Sequence, residues 1–268
     1  MAVARLAAEQ GVAVPAERVV LTASTSEAYG ALFKLLCDPG DEVLVPAPSY
    51  PLFEHLARFE AVNAVGYPLG FDTGWFIDVE ALAARITERT RAIVVVSPNN
   101  PTGNYLTRSE LGGLEKLGLP LICDEVFGSF PLDAPADRVG SVLEAQGVLS
   151  FALSGLSKLA ALPQMKVAWT LVGGPEALAT EALARLELIL DAYLSPSTPM
   201  LLALPQLIET RHVAVGALSA RLRRNARAIA ERVADSAVSL LPNSRRLVRR
   251  APLAGDRKRG RLGARATA

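Results

Sequence analysis

The chain has 268 residues, half of them hydrophobic, and a formal net charge of +1. That length can bury one large core, or a core and a smaller lobe. Nine Arg or Lys and one acid lie from Asn243 onward, which leaves a body with 19 basic and 26 acidic residues, net −7, and no basic surface for nucleic acid.

In chain order, short β-branched runs alternate with helical patterns. Residues 18–22 (RVVLT) read as a strand and lead into 25–37 (TSEAYGALFKLLC), whose apolar residues recur at helical spacing. Residues 38–46 (DPGDEVLVP) give a turn and a strand, 49–60 (SYPLFEHLARFE) a helix, and 61–69 (AVNAVGYPL) another strand. The run 91–98 (RAIVVVSP) is apolar on both faces, as in the middle of a parallel sheet, and 119–126 (LPLICDEV) and 148–154 (VLSFALS) repeat that character. Residues 166–173 (KVAWTLVG) add a strand, and from Pro175 the pattern turns helical over 175–194, 197–209 and 211–236. The alternation predicts an α/β fold, three-layer α/β/α with a mainly parallel sheet. The predicted division is a large domain over 1–205, the helical start of a small domain over 206–242, and a basic tail over 243–268 without apolar periodicity, expected to be disordered.

Cys37 and Cys123 sit in apolar stretches and make neither a disulfide framework nor a zinc site. A reduced cytoplasm is the expected location. His55 and His212 lie far apart, so no His-based metal site is expected. No apolar run approaches the roughly 20 residues of a membrane helix, and the first ten residues do not read as a signal peptide.

The residues that can carry chemistry fall at the carboxyl ends of predicted strands, where open parallel sheets bind ligands. Ser24, Thr25 and Ser26 stand where a strand meets a helix, and offer hydroxyls and N–H groups at the positive end of the helix dipole. Taken alone they are an ordinary Ser/Thr cap. Residues 97–103 (SPNNPTG) form a fixed turn that leaves Asn99 and Asn100 at a strand end. Asp124 ends another buried strand, where a carboxylate is costly without a cation. Lys158 follows the next strand behind Ser154, Gly155 and Ser157, and Lys166 comes eight residues later.

NNPTG, CDEVF, SGLSK and LPQMK occur in the order and at the spacing of the class I/II aminotransferases, and over about residues 5–241 the chain resembles that family of fold-type I pyridoxal-phosphate enzymes. The resemblance implies that Lys158, desolvated in its site, holds the aldehyde of pyridoxal 5′-phosphate as an imine. It implies that Lys158 then moves the proton between the substrate Cα and the cofactor C4′. Asp124 would keep the pyridine nitrogen protonated, making the ring an electron sink. Asn100 would donate to the phenolic oxygen and Tyr50 would stack on the ring. Ser24, Thr25, Ser26, Ser157 and Lys166 would receive the phosphate. The implied activity is transfer of an amino group between an amino acid and a 2-oxo acid, by a homodimer. A C–S β-lyase, a decarboxylase or an inactive relic of the same fold are the alternatives.

Three positions depart from the family. Lys166 stands where arginine is frequent and lacks its bidentate fork. Gly155 replaces the usual hydroxyl three residues before the lysine. Phe127 replaces a tyrosine that bonds the phenolic oxygen, so a charge-assisted bond of roughly 1.5–3 kcal/mol is absent. The small domain is expected to be incomplete, because after residue 242 the family leads one to expect an apolar strand and a Gly-Gly-Trp turn. Residues 245–250 (RRLVRR) can be coded CGG CGG CTG GTC CGC CGT, one choice of codons among several, and read one base later this gives Gly-Gly-Trp-Ser-Ala. The tail is therefore expected to be an out-of-frame reading, and no arginine for the substrate carboxylate can be named.

Overall fold

The computed structural model describes residues 2–131, 134–236, 239–241 and 247–248. The chain passes through helix α1 (Ala2–Glu9), strand β1 (Val19–Thr22), α2 (Thr25–Leu36), β2 (Glu42–Ala47), α3 (Leu52–Phe59), β3 (Asn63–Asp72) and β4 (Gly74–Ile77). It continues through α4 (Val79–Ala83), β5 (Thr90–Val96), α5 (Arg108–Glu115), β6 (Leu121–Asp124), β7 (Ser150–Gly155), α6 (Leu156–Leu159) and β8 (Ala168–Gly173). Helices α7 (Glu176–Asp191), α8 (Thr198–Glu209) and α9 (Arg211–Val233) follow, then the short strands β9 (Ser239–Leu240) and β10 (Leu247–Val248).

Strands β1 to β8 form one sheet in the order β1-β8-β7-β6-β5-β2-β3-β4. The central pairs β3–β2, β2–β5, β5–β6 and β6–β7 are parallel, while β8 runs antiparallel to both β7 and β1. The mainly parallel α/β sheet expected from the sequence is present. The hairpin of β3 and β4 was not expected; Thr73 turns it in the left-handed region, with φ of 50°.

Side chains alternate across the sheet and divide the core in two. On β6, Leu121 and Cys123 join one cluster with Leu44, Ile93, Val95, Leu111, Leu114 and Leu204. Ile122 joins the other with Tyr29, Leu32, Phe33, Phe53, Val94 and Phe151. Helices therefore cover both faces: α1, α5 and α8 supply one layer and α2, α3 and α7 the other. Each large side chain buried in this way stabilises by about 1.5–3 kcal/mol. Helix α9 is different, since only Arg211 and Ser219 on it are buried. The basic tail lies outside the described residues, apart from Leu247 and Val248, whose backbone pairs with Leu240 and Ser239. No helix among the described residues is long and apolar enough to cross a membrane.

Candidate active site

The register of the strands brings the predicted residues to one edge of the sheet. Val96 pairs with Asp124 and Asp124 with Leu153, so β5, β6 and β7 end side by side. Gly155 pairs with Ala168 and Ala168 with Thr22, which extends the edge across β8 to β1. Asn100 follows β5, Asp124 ends β6, Ser157 and Lys158 follow β7, Lys166 precedes β8, and Ser24, Thr25 and Ser26 follow β1. Residues far apart in the chain thus share one rim.

Asp124 is the most constrained of them. Its Oδ1 accepts a 3.1 Å bond from the Val126 N–H. Burial pushes its carboxyl up to about 6; the Val126 N–H, the Lys158 charge and the Tyr29 hydroxyl pull the other way. Part of its surface stays open at the rim, so it is enclosed by protein without being sealed. Lys158, expected to be desolvated, is instead exposed. It leaves the sheet on the single turn of α6, and its Nζ stands 5.7 Å from the centre of the Phe127 ring. That contact is a weak cation–π pair.

The crowding of small residues before Lys158 has a steric cause at Gly155. A Cβ there would lie 2.9 Å from the Ala168 Cα and 3.0 Å from the Val167 carbonyl oxygen, so only glycine lets β7 and β8 close at this point. Lys166 is exposed and adopts φ of 52° just before β8. That left-handed conformation costs a non-glycine residue about 1–2 kcal/mol.

Two asparagines in the NNPTG turn divide the work. Asn99 is buried and ties the turn together: its Nδ2 donates to the Pro48 carbonyl (2.9 Å) and to Thr102 Oγ1 (2.6 Å), and its Oδ1 accepts from Ser49 Oγ (2.8 Å). None of these bonds uses the Asn100 side chain, which is half-buried. The Ser49–Asn99 bond also sets the loop of Tyr50 beside the loop of Asn100. Tyr50 is 45% exposed, with its ring edge-on to Phe53 at 6.1 Å.

At the start of α2, Ser24 acts as a helix cap. Its Oγ accepts from the Glu27 N–H at 3.1 Å, and Glu27 Oε2 accepts from the Ala23 N–H at 2.5 Å. Thr25 and Ser26 occupy the first turn, where N–H groups have no partner within the helix. These residues form a donor-rich, positively polarised corner next to Lys166.

Sequence reasoning passed over three neighbours of Asp124. Val126 holds the carboxylate through its N–H. Tyr29, on the face of the sheet that Asp124 shares with Ile122, is 2% exposed. Glu125 faces the opposite side, where its Oε1 accepts from Ser141 Oγ (2.9 Å) and the Val142 N–H (2.7 Å). That side holds a partly open cavity of about 340 Å³ lined by Glu125, Ser97, Tyr105 and Arg138, among others, and not by Lys158, Asp124 or Asn100. The position of Tyr29 in the helical repeat marks only an apolar face, so no local pattern could have singled it out.

The family described as aminotransferase class I and II matches residues 1–248. The chain belongs to that family. It is 30% identical over 200 residues to the S-alkyl-thiohydroximate lyase SUR1 of Arabidopsis thaliana, which covers 72% of this chain and 43% of that protein. It is 30% identical over 190 residues to the glutamate-pyruvate aminotransferase AlaA of Escherichia coli K12, covering 69% of this chain and 47% of that protein. Among solved structures, the alanine aminotransferase of Pyrococcus furiosus superposes with a TM-score of 0.80 at 26% identity, over 91% of this chain and 63% of that one. The chain therefore spans less than half the length of these curated relatives.

Class I and II aminotransferases depend on pyridoxal phosphate. The donor set of this chain suits that group. A carboxylate lifted by burial at Asp124 matches a ring nitrogen that carries a proton, and the uncommitted Asn100 amide matches a phenolic oxygen. The corner of Thr25, Ser26 and Lys166 matches a phosphate.

Proposed function

We propose that the chain carries the cofactor site of a pyridoxal-phosphate-dependent aminotransferase, which moves an amino group between an amino acid and a 2-oxo acid. The observation that carries this reading is the register of neighbouring strand ends: Asp124 ends β6 paired with Leu153 of β7, and Lys158 follows just beyond β7, which puts a carboxylate and an amine on one rim. When bound, pyridoxal phosphate supplies an electrophilic aldehyde and a ring that accepts electrons. Lys158 Nζ would hold the cofactor at its aldehyde and would carry the substrate Cα proton. Asp124 would hold a proton on the ring nitrogen. Asn100 donates to the phenolic oxygen and Tyr50 covers one face of the ring. Ser24, Thr25, Ser26 and Ser157 donate to the phosphate, and Lys166 adds charge there.

The proposed division into a large domain to residue 205 and the start of a second lobe over 206–242 is supported by α9, whose side chains are mostly unburied. A homodimer is supported by the exposed Leu188, Leu194, Leu202 and Val213, and a cytoplasmic location by two free cysteines. The lyase among the relatives supports a second outcome, cleavage of a carbon–sulfur bond on the same cofactor.

The test is reduction with borohydride in the presence of pyridoxal phosphate, followed by mapping of the modified residue. Labelling of Lys158 is expected; a label on another amine, or none, overturns the reading. Transfer of nitrogen that depends on an added 2-oxo acid then separates an aminotransferase from a lyase, which would release ammonia.

A further inference from the structure

The Tyr29 hydroxyl is the feature that the roles above leave unexplained. Tyr29 is 2% exposed, and its ring is fixed by Phe33 at 5.9 Å and, edge-on, by Phe53 at 5.2 Å. Its Oη is buried and has no partner at full hydrogen-bond geometry among the described residues, and the acceptor within its influence is the Asp124 carboxylate, so a small adjustment of either group completes the bond. A buried hydroxyl left unpaired costs about 1–3 kcal/mol, and a phenylalanine would fill the same space without it. The charge that acts on it most strongly is Asp124, on the same face of the sheet as Ile122. Burial pushes the Tyr29 phenol up first, and then Asp124, Cys123 and Tyr67 raise it further. From the other side, Asp124 is faced by the Val126 N–H, by Lys158 and by this hydroxyl. A phenol kept protonated beside a carboxylate has one useful thing to do, which is to donate.

We propose that Tyr29 is a positioning residue for Asp124: its buried hydroxyl donates to the carboxylate and so sets how strongly Asp124 holds the proton at the cofactor's ring nitrogen. The inference rests on the reading that Asp124 faces that nitrogen. A donor on the carboxylate spreads its charge and fixes its plane, which makes Asp124 a weaker but better-aimed base. Asp124 Oδ1 already takes the Val126 N–H, so the two donors clamp the group from the turn after β6 and from helix α2. Helix α2 then has two tasks on one turn and a half: Thr25 and Ser26 face the phosphate end of the site and Tyr29 the nitrogen end.

The experiment is a carboxyl ¹³C titration of the cofactor-free full chain, in wild type and Tyr29→Phe, with Asp124→Asn used to assign the signal. Loss of the phenol donor is expected to raise the Asp124 midpoint by about one pH unit. An unmoved midpoint overturns the proposal. In a second arm, the dissociation constant of pyridoxal phosphate is measured for both single variants and the double variant. Tyr29→Phe is expected to weaken binding roughly tenfold when Asp124 is present and not at all in the Asp124→Asn background. Equal weakening in both backgrounds means a packing role and also overturns it. A wild-type chain that fails to bind pyridoxal phosphate defeats the proposed function, while the titration arm still decides whether Tyr29 donates to Asp124.

Discussion

Asp124 and Glu125 are adjacent carboxylates at the end of one strand, on opposite faces of the sheet, and they differ in how much of their bonding is spent. Burial is the leading cause for both: it lifts Asp124 to about 6 and Glu125 to about 7. Glu125 is tied into the fold. Its Oε1 takes the Ser141 hydroxyl and the Val142 N–H, and so anchors the segment that leads into β7. Asp124 has one backbone bond, an unpaired phenol beside it and the Lys158 charge nearby. The lesson is that a raised carboxyl does not by itself mark a reacting group. The mark is burial combined with valence left over, on the side where a cation can come.

The most severe way to break this comparison is Lys158→Ala. It removes the amine that would hold the cofactor and carry the proton, and turnover should fall by about 10⁴-fold. The same change should raise the Asp124 midpoint, since Lys158 lowers it, and move that of Glu125 less, since Glu125 feels Lys158 chiefly through Asp124. A carboxyl titration of the cofactor-free variant reads both. Equal movement of the two would mean that Lys158 does not act on Asp124 in particular.

Asp124→Asn against Glu125→Gln sharpens the contrast. Asparagine at 124 cannot keep the ring nitrogen protonated, and turnover should drop by at least about 10²-fold. Glutamine at 125 keeps an oxygen for Ser141 and Val142, and turnover should be unchanged. In stability the two should behave alike. Both acids have folded values above their unfolded ones, 3.8 to about 6 and 4.5 to about 7. The folded chain therefore holds extra protons between those values, and stability falls as pH rises through the window. Each amide should accordingly stabilise the cofactor-free protein at neutral pH by up to about 3 kcal/mol, with little gain below the window. Urea melts at several pH values check this. A destabilised Asp124→Asn at neutral pH would show that the carboxylate is already well paired in the empty site.

Much of this was legible in the sequence, for a physical reason. Residues 92–96 are apolar at every position because β5 is buried on both faces, and the turn, carboxylate and lysine that follow successive strands announce a shared edge. The direction of β8 was not legible. It is set by the short link from α6, where Lys166 turns left-handed, and apolar periodicity does not encode direction. The exposure of Lys158 was also hidden, since SGLSK reads the same whether the lysine is enclosed or open. Tyr29 was hidden most deeply: its hydroxyl acquires meaning only from Asp124, which lies on another element.

The mildest test concerns Phe127, whose ring lies near the Lys158 ammonium, 5.7 Å from Nζ to the ring centre. The ring contributes only a weak attraction of about 0.5–1 kcal/mol to that amine. Phe127→Tyr keeps the ring and adds a donor. If that hydroxyl reaches the cofactor's phenolic oxygen, it would draw negative charge away from Lys158 Nζ, and a proton held on Nζ would leave more easily. The pH midpoint of the bound cofactor's visible absorbance should then fall by about one unit, with affinity little changed. Asp124 and Glu125 should keep their midpoints, because neither is predicted to gain or lose a partner. Superimposable absorbance titrations for wild type and Phe127→Tyr would mean that the added hydroxyl does not face the phenolic oxygen, and that the open side of Asp124 is arranged differently from the site drawn above.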